Sequence, residues 1–403
     1  MRLCIAIAFI SLSLVGCTST SVNREPLTIE QRANALARST LIVDTHIDVP
    51  YRLEQEFEDV SKATMKGDFD YPRAVAGGLN APFMSIYIPA ERETDGTATA
   101  LADQLIDMVE GIASASPDKF SVAHSTADVE RDFARGVMSL PMGMENGAPI
   151  AGDLANLKHF YDRGIRYITL THSKSNHICD SSYDEARPWQ GLSPFGETLV
   201  REMNNMGVMV DVSHVSDDAF YDVMKITKVP PVATHSSARH FTPGFERNMD
   251  DDMIKRLAAA GGVIQINYGS SFIMSMALAN YNALKDARTA YLEENGFPED
   301  GDEADAFTKR YRETTPFVYA DVEDVIDHID HVRDLVGIDY VGIGSDYDGV
   351  GDSLPTGLKD VASYPNLIAA MLKRGYSDSD VRKVLSGNLM RVWRETERYA
   401  ATH

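Results

Sequence analysis

The chain has 403 residues, of which 44% are hydrophobic, and it carries a formal net charge of −22. This length and apolar content suit one large barrel or two ordinary domains, and they exclude extended disorder outside the ends. The acidic excess argues against a nucleic-acid partner, because phosphate binding requires a basic surface.

The N-terminus has the features of a secretory signal peptide. Arg2 precedes an apolar run over residues 3–15, which ends in the letters LVGC at residues 14–17. The run is short for a membrane-spanning helix, and LVGC resembles the lipobox of bacterial lipoproteins. We therefore expect a signal peptide over 1–16, a lipidated Cys17 and a polar tether over 17–27. This would hold the domain at residues 28–403 on a membrane of the bacterial cell envelope, facing the periplasm.

An ordinary signal peptide or an N-terminal membrane anchor is the alternative for this segment. The cysteines agree with export of a lipidated chain. Cys4 would leave with the signal and Cys17 would carry lipid, which leaves Cys179 alone of the three cysteines. No intramolecular disulfide is therefore expected in the mature protein.

Short apolar runs alternate with longer amphipathic segments along the rest of the chain. The runs are rich in Val, Ile and Tyr and are mostly continuous, which is typical of strands buried on both faces of a parallel sheet. Eight strands are predicted, at residues 41–46, 81–89, 136–145, 165–172, 207–214, 231–236, 262–268 and 340–346. Helices are predicted between and after them, at residues 98–113, 153–162, 194–206, 216–225, 250–260, 320–335, 358–373 and 377–399.

This alternation predicts an α/β fold, a (β/α)₈ TIM barrel with extra C-terminal helices. An open doubly wound sheet is less consistent, because no Gly-rich phosphate loop follows the first strand. The charged segment at residues 282–315 lies before the eighth strand. We interpret it as a helical insertion on the surface that could serve as a lid.

Histidines and carboxylates fall at the C-terminal ends of six predicted strands, where a barrel places its active site. They are His46, Asp48, Glu145, His172, His214, His235 and Asp346. Imidazole and carboxylate ligands without a thiolate favour Zn²⁺ or a neighbouring first-row ion. The set exceeds what one catalytic zinc normally takes, so we predict a pair of ions bridged by a carboxylate.

The motifs HxD, MGxEN, LTH, DxSH, THSSAR, RN and GxGxDxDG occur in this order. Together they resemble the membrane (renal) dipeptidase family, whose members are binuclear zinc peptidases of the amidohydrolase superfamily. The resemblance covers about residues 40–392. It implies a zinc-dependent dipeptidase that holds two Zn²⁺ ions, attacks the peptide bond with a hydroxide held between them, and tolerates a D-residue at the C-terminal position.

The resemblance also implies a role for each residue of the set. One ion would be bound by His46 and Asp48, the other by His214 and His235, and Glu145 would bridge them. Asp346 would shuttle the proton of the attacking water, and His172 would polarise the scissile carbonyl or stabilise the oxyanion. Arg247 would pair with the α-carboxylate of the substrate, whereas the sequence alone would favour a surface salt bridge. Tyr268 and Asn176 are further candidates for substrate contact.

Two other functions stay open on the sequence. A related amidohydrolase could act on N-acyl-D-amino acids, lactones or β-lactams, and a lipoprotein could use the barrel for binding alone. Members of the family often form dimers, which makes a homodimer an expectation. His328 and His331 lie on a helix predicted outside the barrel, so we assign them to packing or surface contacts.

Overall fold

The computed structural model describes residues 26–299 and 301–403; the predicted signal peptide and most of the tether lie outside them. Eight parallel strands form the central sheet in the order β1-β2-β5-β6-β7-β8-β9-β10, and β3 pairs with β4 in a small side sheet. The strands are β1 Val43–Ile47, β2 Ala81–Tyr87, β3 Phe120–Val122, β4 Met138–Leu140, β5 Met142–Glu145, β6 Ile165–Thr169, β7 Met209–Asp211, β8 Val232–Ser236, β9 Val263–Ile266 and β10 Val341–Ile343.

The first and last strands of the sheet meet just beyond their C-terminal ends. The backbone N–H of Asp346 donates to the carbonyl of His46 at 3.0 Å, and the N–H of Asp48 donates to the carbonyl of Tyr347 at 2.9 Å. Ile47 and Tyr347 form a parallel bridge between these segments. The sheet therefore closes into a barrel, which confirms the predicted fold.

Helices surround this barrel. In the described residues they are α1 Ile29–Ser39, α2 Val49–Gln55, α3 Tyr71–Gly77, α4 Glu91–Thr94, α5 Ala98–Ala115, α6 Thr126–Arg135, α7 Leu154–Asp162, α8 Pro194–Met206, α9 Asp217–Ile226, α10 Asp251–Ala259, α11 Ser270–Ile273, α12 Ser275–Asn295, α13 Asp302–Thr314, α14 Val322–Val336, α15 Tyr364–Lys373, α16 Asp378–Arg382 and α17 Asn388–Ala400. The charged segment before the last strand is helical, as predicted, and forms most of α12 and α13. None of the helices in the described part of the chain is long and apolar enough to cross a membrane.

Side chains fill the barrel below the mouth. Trp393 from α17 packs with its ring centroid 5.2 Å from that of Phe83, and the ring of Phe83 lies 5.4 Å from that of Tyr167. All of these rings are fully buried. The N-terminal end of the barrel is thus closed by apolar packing, and polar chemistry is confined to the opposite end.

The predicted third strand and the last predicted helix differ from the structure. Pro141 divides the third strand into β4 and β5, because proline has no N–H for the ladder; β4 then pairs with β3, a strand that was not predicted. The last helix is interrupted between α16 and α17 by a π-helical turn at Lys383–Gly387. Neither difference moves a predicted site residue away from the mouth.

Candidate metal centre

Glu145, the last residue of β5, lies at the centre of the cluster at the mouth. Its Oε1 is 3.1 Å from Nε2 of both His214 and His235. Its Oε2 is 3.4 Å from Nε2 of His46, which in turn lies 3.4 Å from Oδ2 of Asp48. All of these side chains are buried. Oε1 of Glu145 therefore contacts two candidate ligands and Oε2 contacts a third, and ligand atoms of His46, Glu145 and His235 all lie within 4.8 Å of one another.

The protonation of His46 follows from its neighbours. The hydroxyl of Tyr167 donates its single proton to the carbonyl of Thr45 at 3.0 Å. It must therefore accept from Nδ1–H of His46, 2.9 Å away. Nε2 therefore faces Asp48 and Glu145, and among the described residues it is buried without a hydrogen-bond partner. A ring nitrogen held in this way is ready to bind a metal.

His235 is fixed by a similar relay. The hydroxyl of Thr234 donates to Oδ2 of Asp211 at 2.6 Å, so it accepts from Nδ1–H of His235 at 2.8 Å. The lone pair of the His235 Nε2 therefore points at Glu145. Neither Tyr167 nor Thr234 nor Asp211 was singled out in the sequence, because their roles depend on contacts between different strands.

His214, the third histidine of the cluster, also presents a ring nitrogen that accepts hydrogen bonds. Nη2 of Arg247, which can only donate, lies 3.0 Å from Nε2 of His214, so this nitrogen accepts. Nε2 of His214 also lies 2.8 Å from Nε2 of His235 and 3.1 Å from Oε1 of Glu145. Three acceptors in mutual contact repel one another unless a cation lies between them. The residues present therefore fit a metal, of the class that imidazole and carboxylate ligands select.

The surroundings tune the charges of these groups. Burial lowers the pKa of His214 and His235 well below its usual value, and Arg247 contributes to both shifts. Burial alone would raise the pKa of Glu145, but the neighbouring His46 and His172 hold it well below its usual range. Burial also opposes protonation of His46, yet Tyr167, Glu145 and Asp48 raise the pKa of this ring well above its usual value. Neutral His214 and His235 beside an ionised Glu145 have the protonation states that metal binding requires, whereas a metal on His46 would have to displace a proton.

Asp346 follows β10 and completes the cluster on the side of Asp48. Its Oδ2 accepts a hydrogen bond from the amide of Asn267 at 2.7 Å. Burial raises the pKa of Asp346 to about 7; His46 opposes the rise, while Asp48 and Glu145 add to it. The group is thus poised to exchange a proton near neutral pH.

An unusual backbone conformation orients the side chains of two site residues. His214 and Asp346 have φ angles of 67° and 62°, in the left-handed region that non-glycine residues seldom occupy. Gly349 allows Asp48 and Asp346 to pack closely against the backbone of the last βα turn. A Cβ at this position would lie 2.2 Å from Oδ2 of Asp48 and 2.3 Å from Oδ1 of Asp346. The last βα turn is therefore shaped around these carboxylates.

His172 and Arg247 border the cluster. Nε2 of His172 lies 3.7 Å from Oε1 of Glu145, and its ring is 4.3 Å from that of His214. Arg247 is 3% exposed. It donates to Oγ of Ser236 at 2.8 Å and to the carbonyl of His235 at 2.7 Å, while its Nε is buried without a partner in the described part of the chain. A metal on His214 would compete with Arg247 for Nε2 of that ring.

Asn176 and Tyr268 lie differently from the other predicted residues. The amide of Asn176 donates to Oδ1 of Asn146 and the carbonyl of Leu170, and its oxygen accepts from two backbone N–H groups of its own loop. These bonds give Asn176 a structural role in the loop. Tyr268 is fully buried with its ring 5.8 Å from that of Tyr347, and its hydroxyl has no partner. A contact of either residue with substrate stays a prediction.

A closed parallel barrel with histidines and carboxylates converging on a buried glutamate at its C-terminal mouth defines a metal-dependent hydrolase. Residues 30–403 match the model of the membrane dipeptidase family, Peptidase family M19, and the chain belongs to that family.

Relatives and solved structures agree with this assignment. Dipeptidase tcpJ of Claviceps purpurea is 34% identical over 345 residues, covering 84% of this chain and 71% of the relative. The crystal structure of the probable dipeptidase PvdM from Pseudomonas aeruginosa is similar with a TM-score of 0.79 and 27% identity, covering 92% of this chain and 99% of that one. A metallopeptidase from Rhodobacter sphaeroides, liganded with a phosphinate mimic of the dipeptide L-Ala-D-Ala, is similar with a TM-score of 0.73 and 26% identity, covering 89% and 99%.

Proposed function

We propose that this member of the family hydrolyses dipeptides, including those with a D-residue at the C-terminal position, with two Zn²⁺ ions bound at the mouth. The observation that carries the proposal is Glu145, whose Oε1 contacts His214 and His235 and whose Oε2 contacts His46. A bound pair of ions would supply an activated water at neutral pH and polarise the scissile carbonyl.

The residues around the ions would orient the substrate. Arg247 offers a buried guanidinium whose Nε has no partner among the described residues, which suits the α-carboxylate at the end of a dipeptide. The ring of His172 lies 4.3 Å from that of His214 and can donate to the carbonyl oxygen as charge develops there. Anchoring the terminal carboxylate would place the last peptide bond of the substrate, one residue away, at the metal centre.

Asp346 would move the proton. It would accept a proton from the attacking water and deliver it to the nitrogen of the leaving amino acid. Asn267 holds Oδ2 of this carboxylate, so Oδ1 is left to face the reacting groups. Its pKa of about 7 in the metal-free protein would fall beside bound cations, which keeps it ionised for the first transfer.

Tolerance of a D-residue is supported by the relative from Rhodobacter sphaeroides, whose ligand mimics L-Ala-D-Ala. The test is a substrate panel with the zinc-loaded protein: L-Ala-D-Ala, L-Ala-L-Ala, D-Ala-L-Ala, the tripeptide L-Ala-D-Ala-D-Ala and N-acetyl-D-Ala. We expect cleavage of L-Ala-D-Ala and L-Ala-L-Ala, with the tripeptide intact. Preferential cleavage of N-acetyl-D-Ala would instead assign a related amidohydrolase activity.

The variant Asp346→Asn tests the proton transfer within the same panel. We expect kcat to fall by about 10²–10⁴-fold, the usual contribution of a general acid or base. Asp352→Asn, which removes an exposed carboxylate from the same loop, is the matched control. Full activity of Asp346→Asn would show that another group carries the proton.

A further inference from the structure

Three aromatic side chains from three different loops line one side of Arg247. Tyr183 lies between β6 and α8, Phe245 lies between β8 and α10, and Phe272 lies in α11. The ring centroids of Tyr183 and Phe245 are 6.0 Å apart, and those of Phe245 and Phe272 are 5.9 Å apart. The guanidinium of Arg247 lies 5.5 Å from the ring centroid of Phe272. We call Tyr183, Phe245 and Phe272 the aromatic wall.

The outer member of the wall faces the reaction centre. The ring of Tyr183 lies 5.9 Å from that of His214, yet 43% of the residue is exposed. Tyr183 therefore borders both the candidate metal centre and the solvent.

The wall is held in place rather than left mobile. The N–H of Ser182 donates to the carbonyl of His214 at 2.8 Å, which fixes the chain next to Tyr183. Arg187 forms a two-pronged ion pair with Glu246, at 2.8 and 3.2 Å, and so ties the Tyr183 loop to the Phe245 loop. The charges of Arg187 and Glu246 offset each other, so Arg247 is the charged group that contacts the wall. A partly exposed aromatic surface that is held in place beside the anchored carboxylate is suited to bind an apolar group.

The position of the wall determines which part of a substrate it would meet. If Arg247 binds the α-carboxylate, the Cα of the C-terminal residue lies next to Arg247. The side chain of that residue must then extend along the surface beside Arg247. Where Phe272 lies against Arg247, this surface is the aromatic wall. A second aromatic pair, Tyr51 and Tyr87, lies across the mouth, with the ring of Tyr87 4.9 Å from that of His172. The wall is therefore separate from the side of the mouth beside Asp48.

We propose that the aromatic wall is the subsite for the side chain of the C-terminal residue and that it selects large apolar or aromatic side chains there. The proposal rests on the proposed dipeptidase function, because it takes Arg247 as the anchor of the terminal carboxylate. Tyr183 is the member that determines specificity, since it alone of the three is exposed by more than a third.

The test compares two series of substrates with the zinc-loaded, full-length protein. The first series, L-Ala-D-Xaa, has Xaa as Ala, Leu, Phe or Asp; the second, L-Xaa-D-Ala, varies the N-terminal residue in the same way. We expect kcat/KM to favour D-Phe and D-Leu over D-Ala by about tenfold in the first series. Tyr183→Ala should remove most of this preference and leave the order within the second series unchanged.

Two variants control for folding and for general damage to the loop. Tyr183→Phe keeps the ring and should keep the preference. Trp189→Ala removes another aromatic residue of the same loop, 41% exposed, which lines a cavity with Glu93 and His177 rather than with Arg247. It should leave the ratio between D-Phe and D-Ala substrates as in the parent protein.

The outcomes separate the proposal from the function on which it rests. Cleavage of dipeptides with equal or higher kcat/KM for D-Ala or D-Asp would overturn the subsite and leave the dipeptidase function standing. An equal loss on all substrates in Tyr183→Ala, with Tyr183→Phe unaffected, would also overturn it. If the zinc-loaded parent cleaves no dipeptide, the proposed function and the subsite both fall.

Discussion

At the scale of single residues, the orientation of His46 depends on one hydroxyl. Tyr167 gives its proton to a backbone carbonyl and therefore accepts from the histidine, which leaves Nε2 free for metal. Tyr167→Phe removes that acceptor while keeping the ring in the packed barrel. We expect zinc affinity to fall by about 10–100-fold, as when other partners of metal-bound histidines are removed.

The measurement is competition for zinc with a coloured chelator. Tyr376→Phe is the matched control, because Tyr376 is also buried and its hydroxyl bonds Asp330 on an outer helix. Unchanged affinity in Tyr167→Phe would show that the tautomer of His46 is set in another way.

The sequence singled out side chains that the structure brings together at the mouth, but not the residues that support them. His46 and Asp48 stand out because residues two apart on a strand face one side, and because strand ends converge in a barrel. Tyr167 and Thr234 carry no such signal, since Tyr167 reaches His46 across the barrel from β6 to β1, and Thr234 depends on Asp211 of the neighbouring strand. Asn267, which holds Asp346, was missed for the same reason.

At the scale of elements, a buried ion pair joins the first and last βα turns. Nε of Arg52 in α2 lies 3.0 Å from Oδ2 of Asp348, whose side chain is fully buried. Asp348 also accepts from the N–H of Asp68 at 2.5 Å and donates its own N–H to Asp68 at 2.9 Å. Because α2 begins directly after Asp48, these bonds fix Asp48 relative to the turn that carries Asp346.

Asp348→Asn tests this connection. Arg52 keeps Glu58, 2.9 Å away, as a second carboxylate partner, so we expect the free energy of unfolding to fall by only about 2 kcal/mol. The measurement is made above pH 8, because burial raises the pKa of Asp348 to about 7. Urea denaturation of the zinc-free protein measures the change, with Asp378→Asn, which loses an exposed ion pair to Arg32, as the control. A double variant with Arg52→Gln should recover part of the loss; strict additivity would contradict a direct interaction.

His328 in α14 should make stability depend on pH. Its Nδ1 accepts from the N–H of Ala238 at 3.0 Å, and its Nε2–H donates to the carbonyl of Ile273 at 2.9 Å, so the neutral ring is required. Burial lowers its pKa to about 4 from 6.5. The unfolded chain therefore binds the proton first as pH falls below about 6.5, and the folded state loses about 2 kcal/mol of stability by pH 5.

His328→Gln keeps a donor and an acceptor but does not titrate. We expect its unfolding free energy to change less than that of the parent between pH 7 and pH 5, by the same 2 kcal/mol or so. His331→Gln, on the outer side of the same helix, should keep the pH dependence of the parent. Parallel curves for the parent and His328→Gln would refute this account.

The predicted elements were correct where strands and helices alternate and wrong where local chemistry interrupts a run. The third strand was predicted without a break, because its apolar pattern hides the effect of Pro141. The side sheet of β3 and β4 was missed, since Phe120–Val122 is too short to show a pattern. Both errors lie outside the barrel mouth, so they leave the predicted site residues together at the strand ends.

At the scale of the whole molecule, removal of the metal should destabilise the fold. The cluster around Glu145 consists of acceptors that repel one another without a cation, so binding should add several kcal/mol, about 4 when free zinc is 1,000 times its dissociation constant. Calorimetry with and without a chelator should show a lower Tm for the stripped protein. The variant Glu145→Gln should lose most of that difference, and an equal difference in the variant would argue against a shared ligand.

The place of the molecule in the cell is a separate proposal, based on the LVGC letters that end the apolar run. We propose that Cys17 carries lipid and holds the barrel on the periplasmic face of the envelope. Cys17→Ser should move the protein from the membrane fraction to the soluble periplasmic fraction of a bacterial host. Membrane retention of that variant would favour an uncleaved N-terminal anchor.

Glu145 gives the two proposed ions a common ligand, and this has a thermodynamic consequence. The first ion to bind neutralises part of the carboxylate charge that attracts the second, but it also locks the orientation of that carboxylate. The two dissociation constants must therefore be linked, and each ion must change the affinity of the other by the same factor. A titration that resolves two steps would give the sign of this coupling, and thus show whether the centre fills one ion at a time or essentially all at once.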